Sequence, residues 1–401
     1  MSSLKRIRSR IVLTSKSCLT VVTIVSMFNF ADIAAACPIC GVPTVTVAER
    51  FARADAALLA EWVSVRGAQG KTPETTAFEI VQTPRNPEKA FKTGERIDVP
   101  VYAQGKSGDL YLLLGRKDEK LGIKWENPLP VSETSFQYIV QAPPLETPAE
   151  KRLAYFVKFL EYPDVTIAND AFAQFVNAPT KDIAAVSGKL PKDKIRRWLA
   201  DSKTPINRQA GYGLMLGLCG EADEARFLEQ RIGAIEPDRQ VGIEGLMFGY
   251  LLLTGENGLA KLEKTYLGDS KAEDGMAYAA VLAIRYYWTY GNGKITPEKL
   301  QAAMRRLLDR PTFAESAIKD LARWKDWSLH ERLMKLYDSK EGTDASTRKA
   351  IITYMIASTK DAPQDAAGAP PHVRAGRKCL EELRQRDPKL VAEAERFFFV
   401  Q

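Results

Sequence analysis

The chain has 401 residues, a formal net charge of +7, five cysteines and two histidines. A chain of this length can bury a sizeable core, so disulfide bonds are optional supports for its fold. Neither histidine stands in a recognisable catalytic context, which argues against a Ser-His-Asp or Cys-His enzyme. The sequence also contains no glycine-rich phosphate loop.

Residues 1–36 carry the features of a secretion signal. A basic start is followed by a largely apolar run, Cys18–Phe30, and by a small-residue cleavage site, Ala34-Ala35-Ala36. The apolar run has 13 residues, fewer than the ~20 that a helix needs to cross a bilayer, and no later stretch is long and apolar enough. We therefore predict an extracytoplasmic protein, periplasmic or secreted, that begins at or near Cys37 and has no transmembrane segment.

Cys37 directly follows the small residues, so a lipid anchor at Cys37 is an alternative to plain secretion. Plain secretion is favoured because Ala34 stands three places before Cys37, where a bacterial lipobox has Leu. Residues 1–36 hold five bases and one acid, so their removal lowers the net charge by four, to +3. A balance so close to neutral argues against nucleic acid as the partner.

Residues 37–145 predict a small β domain. Thr46 and Glu49 fit a capping box for a short helix that ends near Ala54. Segments rich in β-branched and aromatic residues, separated by Gly, Pro and Asn, predict five strands: Leu58–Val65, Thr76–Gln82, Arg96–Ala103, Asp109–Gly115 and Phe136–Gln141. Short strands in this arrangement favour a barrel or a sandwich.

A helical region follows, and residues 146–358 are predicted to form repeats. Thr147-Pro148-Ala149-Glu150 combines a capping Thr, an early Pro and a Glu, which predicts a helix start. A turn then recurs about every 36 residues, each running into an apolar-periodic helix, at Asp164, Thr204, Asp238, Asp274, Arg310 and Asp344. A second helix lies between successive turns, and helix pairs of this period are typical of a stacked solenoid.

The C-terminal end is predicted to close the stack. Residues 359–376 are rich in Ala, Pro and Gly, which favours a flexible loop. Residues 377–401 are predicted to form capping helices, with Phe397-Phe398-Phe399 packing back on the repeats.

Two family resemblances rest on these residues. The helical part resembles HEAT-type repeats, most clearly where small residues follow an Asp turn, at Asp238, Gly242, Gly245 and Gly249. The first part resembles netrin-like domains, the OB-type domains of tissue inhibitors of metalloproteinases, in Cys37, Cys40, Ala54-Asp55 and the strands LLAEWVSV and GDLYLLLG. The whole chain resembles secreted bacterial proteins that begin with Cys-Pro-X-Cys and end in HEAT-like helices. These resemblances imply an α+β multidomain fold: a small OB-like β-barrel, then an all-α HEAT-type helical solenoid.

Cys37-Pro38-Ile39-Cys40 is the sharpest local motif, and three interpretations stay open. The motif suits a thiol–disulfide oxidoreductase, in which the second Cys resolves a mixed disulfide. A structural disulfide, local or reaching Cys219 or Cys379, is favoured because the motif stands at a cleaved terminus, without the preceding strand that redox motifs use. The netrin-like resemblance implies a third role, in which the amino-terminal Cys37 chelates the zinc of a metalloprotease.

An aromatic cluster supplies the candidate binding residues. Tyr286, Tyr287 and Trp288 follow one another on a predicted helix, where successive side chains lie ~100° apart and cannot share one face. Core packing is therefore favoured, and the alternative is an aromatic platform for a partner, formed by Tyr286, Tyr287, Trp288, Trp324 and Trp327.

The predicted function is that of a non-enzymatic interaction or scaffold protein. A helical-repeat surface would bind a protein or cell-envelope partner, with no catalytic residues, cofactor or metal. His330 and His372 are interpreted as packing or surface residues.

Overall fold

The computed structural model describes residues 44–67, 74–120, 122–236, 240–268, 272–339, 343–361 and 368–398. All of these residues belong to one compact unit, residues 35–401. Its architecture is α+β, with an antiparallel sheet near the start and helices in the C-terminal region. The predicted order of a β region followed by a helical region is confirmed at this level.

Six strands form one open sheet in the described part of the chain. They are β1 (Ala56–Arg66), β2 (Thr75–Arg85), β3 (Arg96–Val99), β4 (Leu110–Asp118), β5 (Gly122–Trp125) and β6 (Leu129–Pro130). The order is β3-β2-β1-β4-β5, with β6 also paired to β4, and each pair is antiparallel. Since β3 and β5 lie at opposite edges, these strands do not close into a barrel.

The predicted fifth strand, Phe136–Gln141, is wrong, because these residues belong to a helix, α2 (Glu133–Val140). A capping box starts the helix: the Ser132 hydroxyl accepts from the Ser135 N–H at 3.0 Å, and the Ser135 hydroxyl accepts from the Ser132 N–H at 2.8 Å. Phe136 and Ile139 stand three residues apart and share the buried face. The local cap thus outweighs the β-branched and aromatic composition. The prediction also lacks the short strands β5 and β6.

The sheet packs through both of its faces. Ala57 and Leu59 of β1 belong to a large core shared with the helices, whereas Leu58 and Ala60 belong to a smaller core on the other face. Burial on both sides explains why β1 begins with an uninterrupted apolar run. The larger core continues from the sheet into the helical region.

Asp238, one of the six predicted turns, lies outside the described residues, and each of the other five stands at or shortly before the start of a helix. The α-helices of the described residues are numbered in chain order. Besides α2, they are α1 (Val47–Arg53), α3 (Ala149–Phe156), α4 (Val165–Asn177), α5 (Thr180–Ala185), α6 (Lys192–Ala200), α7 (Gln209–Cys219), α8 (Ala222–Gly233), α9 (Ile243–Thr254), α10 (Glu256–Leu262), α11 (Asp274–Tyr290), α12 (Pro297–Arg305), α13 (Pro311–Arg323), α14 (His330–Asp338), α15 (Ala345–Lys360), α16 (Pro371–Arg386) and α17 (Pro388–Phe397).

Local capping explains several of these boundaries. The Asp164 and Asp344 side chains accept backbone N–H groups at the starts of α4 and α15. Helix α16 begins at Pro371, earlier than the predicted start near 377, because proline fits the first position of a helix. Residues 362–367 of the predicted loop lie outside the described residues.

Several first helices of the predicted pairs pack side by side. Helix α9 contacts both α7 and α11, and α15 contacts α13, while the second helices α8, α10, α12 and α14 pack against them. Glycines let α7 and α9 approach to backbone contact. A Cβ added at Gly217 would lie 2.4 Å from the Gly249 Cα, and one added at Gly249 would lie 2.1 Å from the Gly213 carbonyl oxygen.

Ion pairs connect α6 with α8, α8 with α10, the turn after α12 with α14, and α14 with α16. These pairs are Lys192–Glu224 at 3.7 Å, Glu229–Lys261, Arg332–Asp309 at 2.8 Å and Arg386–Asp338 at 2.7 Å. Glu224 is buried, but both members of the other three pairs are exposed, so each of those three contributes little to stability, roughly 0–1 kcal/mol.

Candidate functional site

The predicted redox residues divide into two groups. Cys37 and Cys40 lie outside the described residues, so the three interpretations of their motif stay predictions. Cys219 and Cys379 are free thiols, each half-buried. Burial raises the pKa of Cys219 to about 11 and also raises the pKa of Cys379. Both thiols are therefore protonated at neutral pH, which disfavours nucleophilic chemistry at these two positions.

The predicted aromatic platform is mostly occupied by contacts between helices. Trp288 of α11 stacks on Trp324, which follows α13, with ring centres 4.2 Å apart and planes 7° from parallel. Tyr287 is 3% exposed and Trp324 is 9% exposed. The Tyr287 hydroxyl donates to the Asn292 Oδ1 at 2.6 Å, and Tyr286 packs against the core. These contacts favour the packing interpretation, and a binding role for the rings stays a prediction.

Trp327 lies in a separate cluster that contains both histidines of the chain. Its indole N–H donates to Asp361 Oδ2 at 2.6 Å, and its ring stacks on His372 with centres 6.0 Å apart. The His330 Nδ1 lies 3.0 Å from the Trp327 carbonyl oxygen and the His330 Nε2 lies 3.0 Å from the Ser358 hydroxyl. Burial lowers the pKa of His330, so this ring is neutral at physiological pH.

The turn before this cluster is held in an unusual backbone conformation. Lys325 has φ +54°, and the N–H groups of Lys325 and Asp326 donate to the carbonyls of Ala322 and Leu321, which is the Schellman pattern at the end of α13. The Arg305 guanidinium donates two hydrogen bonds to the buried Asp326 carboxylate, at 2.6 and 2.8 Å. The Lys325 ammonium reaches Asp361 at 2.7 Å. The cluster therefore locks the end of α13 to α15 and α16.

The sequence did not predict this convergence of the histidines. His330 and His372 are 42 positions apart, and the packing of α14 and α15 against α16 brings them together. Among the described residues, no group of three or more His, Cys, Asp or Glu side chains is placed to hold a metal ion. In the same part of the chain, no helix combines the length and apolarity needed to cross a membrane.

A different surface presents apolar side chains to solvent. We define the entry edge as residues 161–165, 201–207, 240–244 and 272–278, which precede or begin α4, α7, α9 and α11. Four of the eight large hydrophobic side chains that are exposed in the described residues lie on it: Tyr162 (37%), Val165 (68%), Val241 (60%) and Tyr278 (52%). These apolar side chains face solvent instead of packing in the core, and a group of exposed apolar side chains is typical of a contact surface. The entry edge is therefore a candidate contact surface.

Polar contacts tie the segments of the entry edge to one another. The buried Arg208 at the start of α7 pairs with Glu161 before α4 and donates to Asn169. The Gln209 amide donates to the Val241 carbonyl at 3.0 Å. The Gln240 amide donates to Glu273 at 3.0 Å, which connects the next pair of segments. The four segments thus form a continuous row.

The entry edge is acidic. Its residues include a single base, Lys203, and six acids: Glu161, Asp164, Asp201, Glu244, Glu273 and Asp274. Arg208 and Arg310 pair with two of these acids, and the group with both arginines still has six acids against three bases. Exposed apolar groups surrounded by negative charge are complementary to a surface that is both apolar and basic.

Comparisons with protein-family models, with curated proteins and with solved structures give no match for this chain. The interpretation of its function therefore depends on the chemistry of its own surfaces.

Proposed function

We propose that this chain is an extracytoplasmic, non-enzymatic interaction protein that binds a protein partner through its entry edge. The observation that carries the proposal is the set of exposed apolar side chains, Tyr162, Val165, Val241 and Tyr278, on three of the four segments of the entry edge. Fully burying a side chain of this size contributes roughly 1.5–3 kcal/mol, and because these four are already partly covered in the free chain, each would contribute about 1 kcal/mol on binding.

The charge of the edge specifies the chemistry of the partner. A docking segment with apolar residues and an excess of Lys or Arg would bury the exposed side chains and pair with the carboxylates around them. Asp274 stands four positions before Tyr278, about one helical turn, and Asp164 directly precedes Val165 on another segment. An acidic partner would meet like charge at both places.

The proposal also includes a HEAT-type solenoid, an OB-like β domain and export of the chain from the cytoplasm. The recurring helix pairs, the side-by-side packing of α7, α9 and α11, and the ion pairs between second helices support a HEAT-type solenoid. The irregular register of β1 against β2 supports the strand coiling of an OB-like domain. The basic start and apolar core of residues 1–36 support export.

Paired surface variants of the full chain test the proposal. The edge variant carries Val241→Ser and Tyr278→Ser, and the control carries Val65→Ser and Tyr102→Ser, which replaces a Val and a Tyr that are also exposed but lie outside the edge. A photoreactive residue at Val165 would capture the partner from a cell-envelope fraction. The captured protein would then be purified and its dissociation constant measured with each variant.

We expect the edge variant to weaken binding at least thirtyfold, since about 2 kcal/mol or more of apolar burial is lost. The control should bind as the unmodified chain does, and raised salt should weaken binding because the pairing is ionic. Equal affinity of the two variants, an acidic captured surface, or no specific capture at Val165 would each refute the proposal.

A further inference from the structure

A cavity of about 220 Å³ lies between α8, α9 and α10. Its volume corresponds to about seven molecules of liquid water, at ~30 Å³ each, and is below the ~300 Å³ at which pockets for drug-sized ligands begin. The cavity therefore suits a small ligand. It is separate from the entry edge, and none of the residues in the predicted aromatic platform lines it.

The walls of the cavity divide into an apolar part and a charged part. Ile232 of α8 and Leu262 of α10 are buried and supply aliphatic surface, and Tyr250 of α9 adds an aromatic ring. At the charged end the Glu229 carboxylate pairs with the Lys261 ammonium and accepts a hydrogen bond from the Tyr250 hydroxyl at 3.1 Å. Opposite charges thus stand side by side at one end of an apolar space.

A π-helical turn, Glu263–Leu267, forms the wall next to Lys261. The Gly268 N–H donates to the Glu263 carbonyl at 2.7 Å, which is the wider i to i+5 register. Two arginines that follow α12 hold this turn in place. Arg306 donates to the Glu263 carboxylate at 2.9 Å, and Arg310 donates to the Tyr266 carbonyl at 2.8 Å. Single π-turns of this kind occur frequently at functional sites, because the wider register redirects the side chains beside a ligand.

We infer that this cavity binds a small zwitterion with a compact apolar body, the chemical class of a free hydrophobic α-amino acid. The ammonium of such a ligand pairs with Glu229 and its carboxylate pairs with Lys261, while its side chain lies against Ile232, Leu262 and Tyr250. A ligand with one charge would pair with only one member of the exposed Glu229–Lys261 pair, so a zwitterion gains one more charge-assisted contact. Partner binding at the entry edge is not required for this site.

Gly233 provides a way to fill the cavity without disturbing the fold. It lines the cavity as the last residue of α8, and a Cβ added there meets no atom within 4 Å. Gly233→Leu therefore adds a bulky side chain at the rim of the cavity without a clash at its Cβ. Gly188→Leu is the matched control, because a Cβ at Gly188 also meets nothing within 4 Å and that glycine does not line the cavity.

The experiment is isothermal titration of the full chain with L-phenylalanine, L-leucine, 3-phenylpropionate and phenethylamine. We expect one or both amino acids to bind, Gly233→Leu to weaken that binding at least tenfold, and Gly188→Leu to leave it unchanged. Lys261→Gln should weaken the amino acids and 3-phenylpropionate but not phenethylamine. Failure of both amino acids to bind, equal binding by Gly233→Leu, or tighter binding of either singly charged probe would overturn the inference.

Discussion

The contact between α7 and α9 gives the sharpest prediction for stability. Gly249→Ala adds a methyl group whose carbon would lie 2.1 Å from the Gly213 carbonyl oxygen, whereas ordinary contact begins near 3.4 Å. The shortfall of 1.3 Å separates two backbones, so no side-chain rotation can relieve it. Overpacking of this kind costs about 1–3 kcal/mol, and the upper end applies where only backbone can move. The better helix propensity of Ala returns about 1 kcal/mol.

We therefore expect Gly249→Ala to lower the free energy of unfolding by about 2 kcal/mol. The measurement is urea unfolding of the full chain, followed by circular dichroism. The control is Gly233→Ala, which adds the same methyl group at a helical glycine with open space around it. This control should be as stable as the unmodified chain or up to about 1 kcal/mol more stable. Equal unfolding midpoints for the two variants would falsify the backbone contact.

Three further predictions use the buried titratable groups. Burial lowers the pKa of His330, so the folded chain binds fewer protons than the unfolded chain. The folded chain should therefore lose stability as the pH falls through about 6.5. His330→Gln should lessen this loss, as measured by the midpoints of urea unfolding between pH 7.5 and 5. Asp326→Asn should cost about 1.5–3 kcal/mol in urea unfolding, because it weakens the hydrogen bonds that the buried Asp326 carboxylate accepts from the partly exposed Arg305, whereas Asp309→Asn, in an exposed pair, should cost less than about 1 kcal/mol. Cys219 should react with iodoacetamide roughly a hundredfold more slowly in the folded than in the urea-unfolded chain, because burial raises its pKa from 9.0 to about 11; peptide mass spectrometry measures both rates.

Each of these predictions has a clear contrary result. The same pH dependence in the His330→Gln variant as in the unmodified chain would show that protonation of this ring is not linked to folding. Equal costs for Asp326→Asn and Asp309→Asn would mean that burial does not strengthen the first pair. Equal alkylation rates in the folded and unfolded states would contradict the raised pKa of Cys219.

Signals that are local in sequence predicted much of the helical region. Asp164 and Asp344 cap the helices that follow them, and the apolar periodicity after each turn corresponds to a buried helix face. The same kind of signal explains the error at Phe136–Gln141. Its composition favours a strand, but Ser132 and Ser135 supply a capping box that the prediction did not weigh against it.

The candidate surfaces were not predictable in the same way, because they depend on contacts between distant segments. His330 and His372 meet only through the packing of α14 and α15 against α16. The exposure of Tyr278 follows from the rotation of α11 against its neighbours, since Ala277 and Ala279 on either side are buried. The spacing of apolar residues within the sequence of α11 does not predict that rotation. The aromatic residues predicted from the sequence were chosen for their residue type. The entry edge, in contrast, is identified by where its residues lie in the folded chain.

Buried charges at two junctions of the helical region, between α4 and α7 and between α11 and α13, oppose sliding of neighbouring helices. Apolar contacts between helices tolerate small shifts along the helix axis, because they are not directional. The pairs Glu161–Arg208 and Arg285–Asp320 each place a buried ionic partner between neighbouring repeats. Removing one partner of such a pair costs about 3–5 kcal/mol, so a shift that separated the partners would be strongly opposed. Of these two pairs, Glu161–Arg208 lies at the entry edge, so it would hold the segment that carries Tyr162 and Val165 against the start of α7, and a partner that contacts this segment would bind without first having to order it.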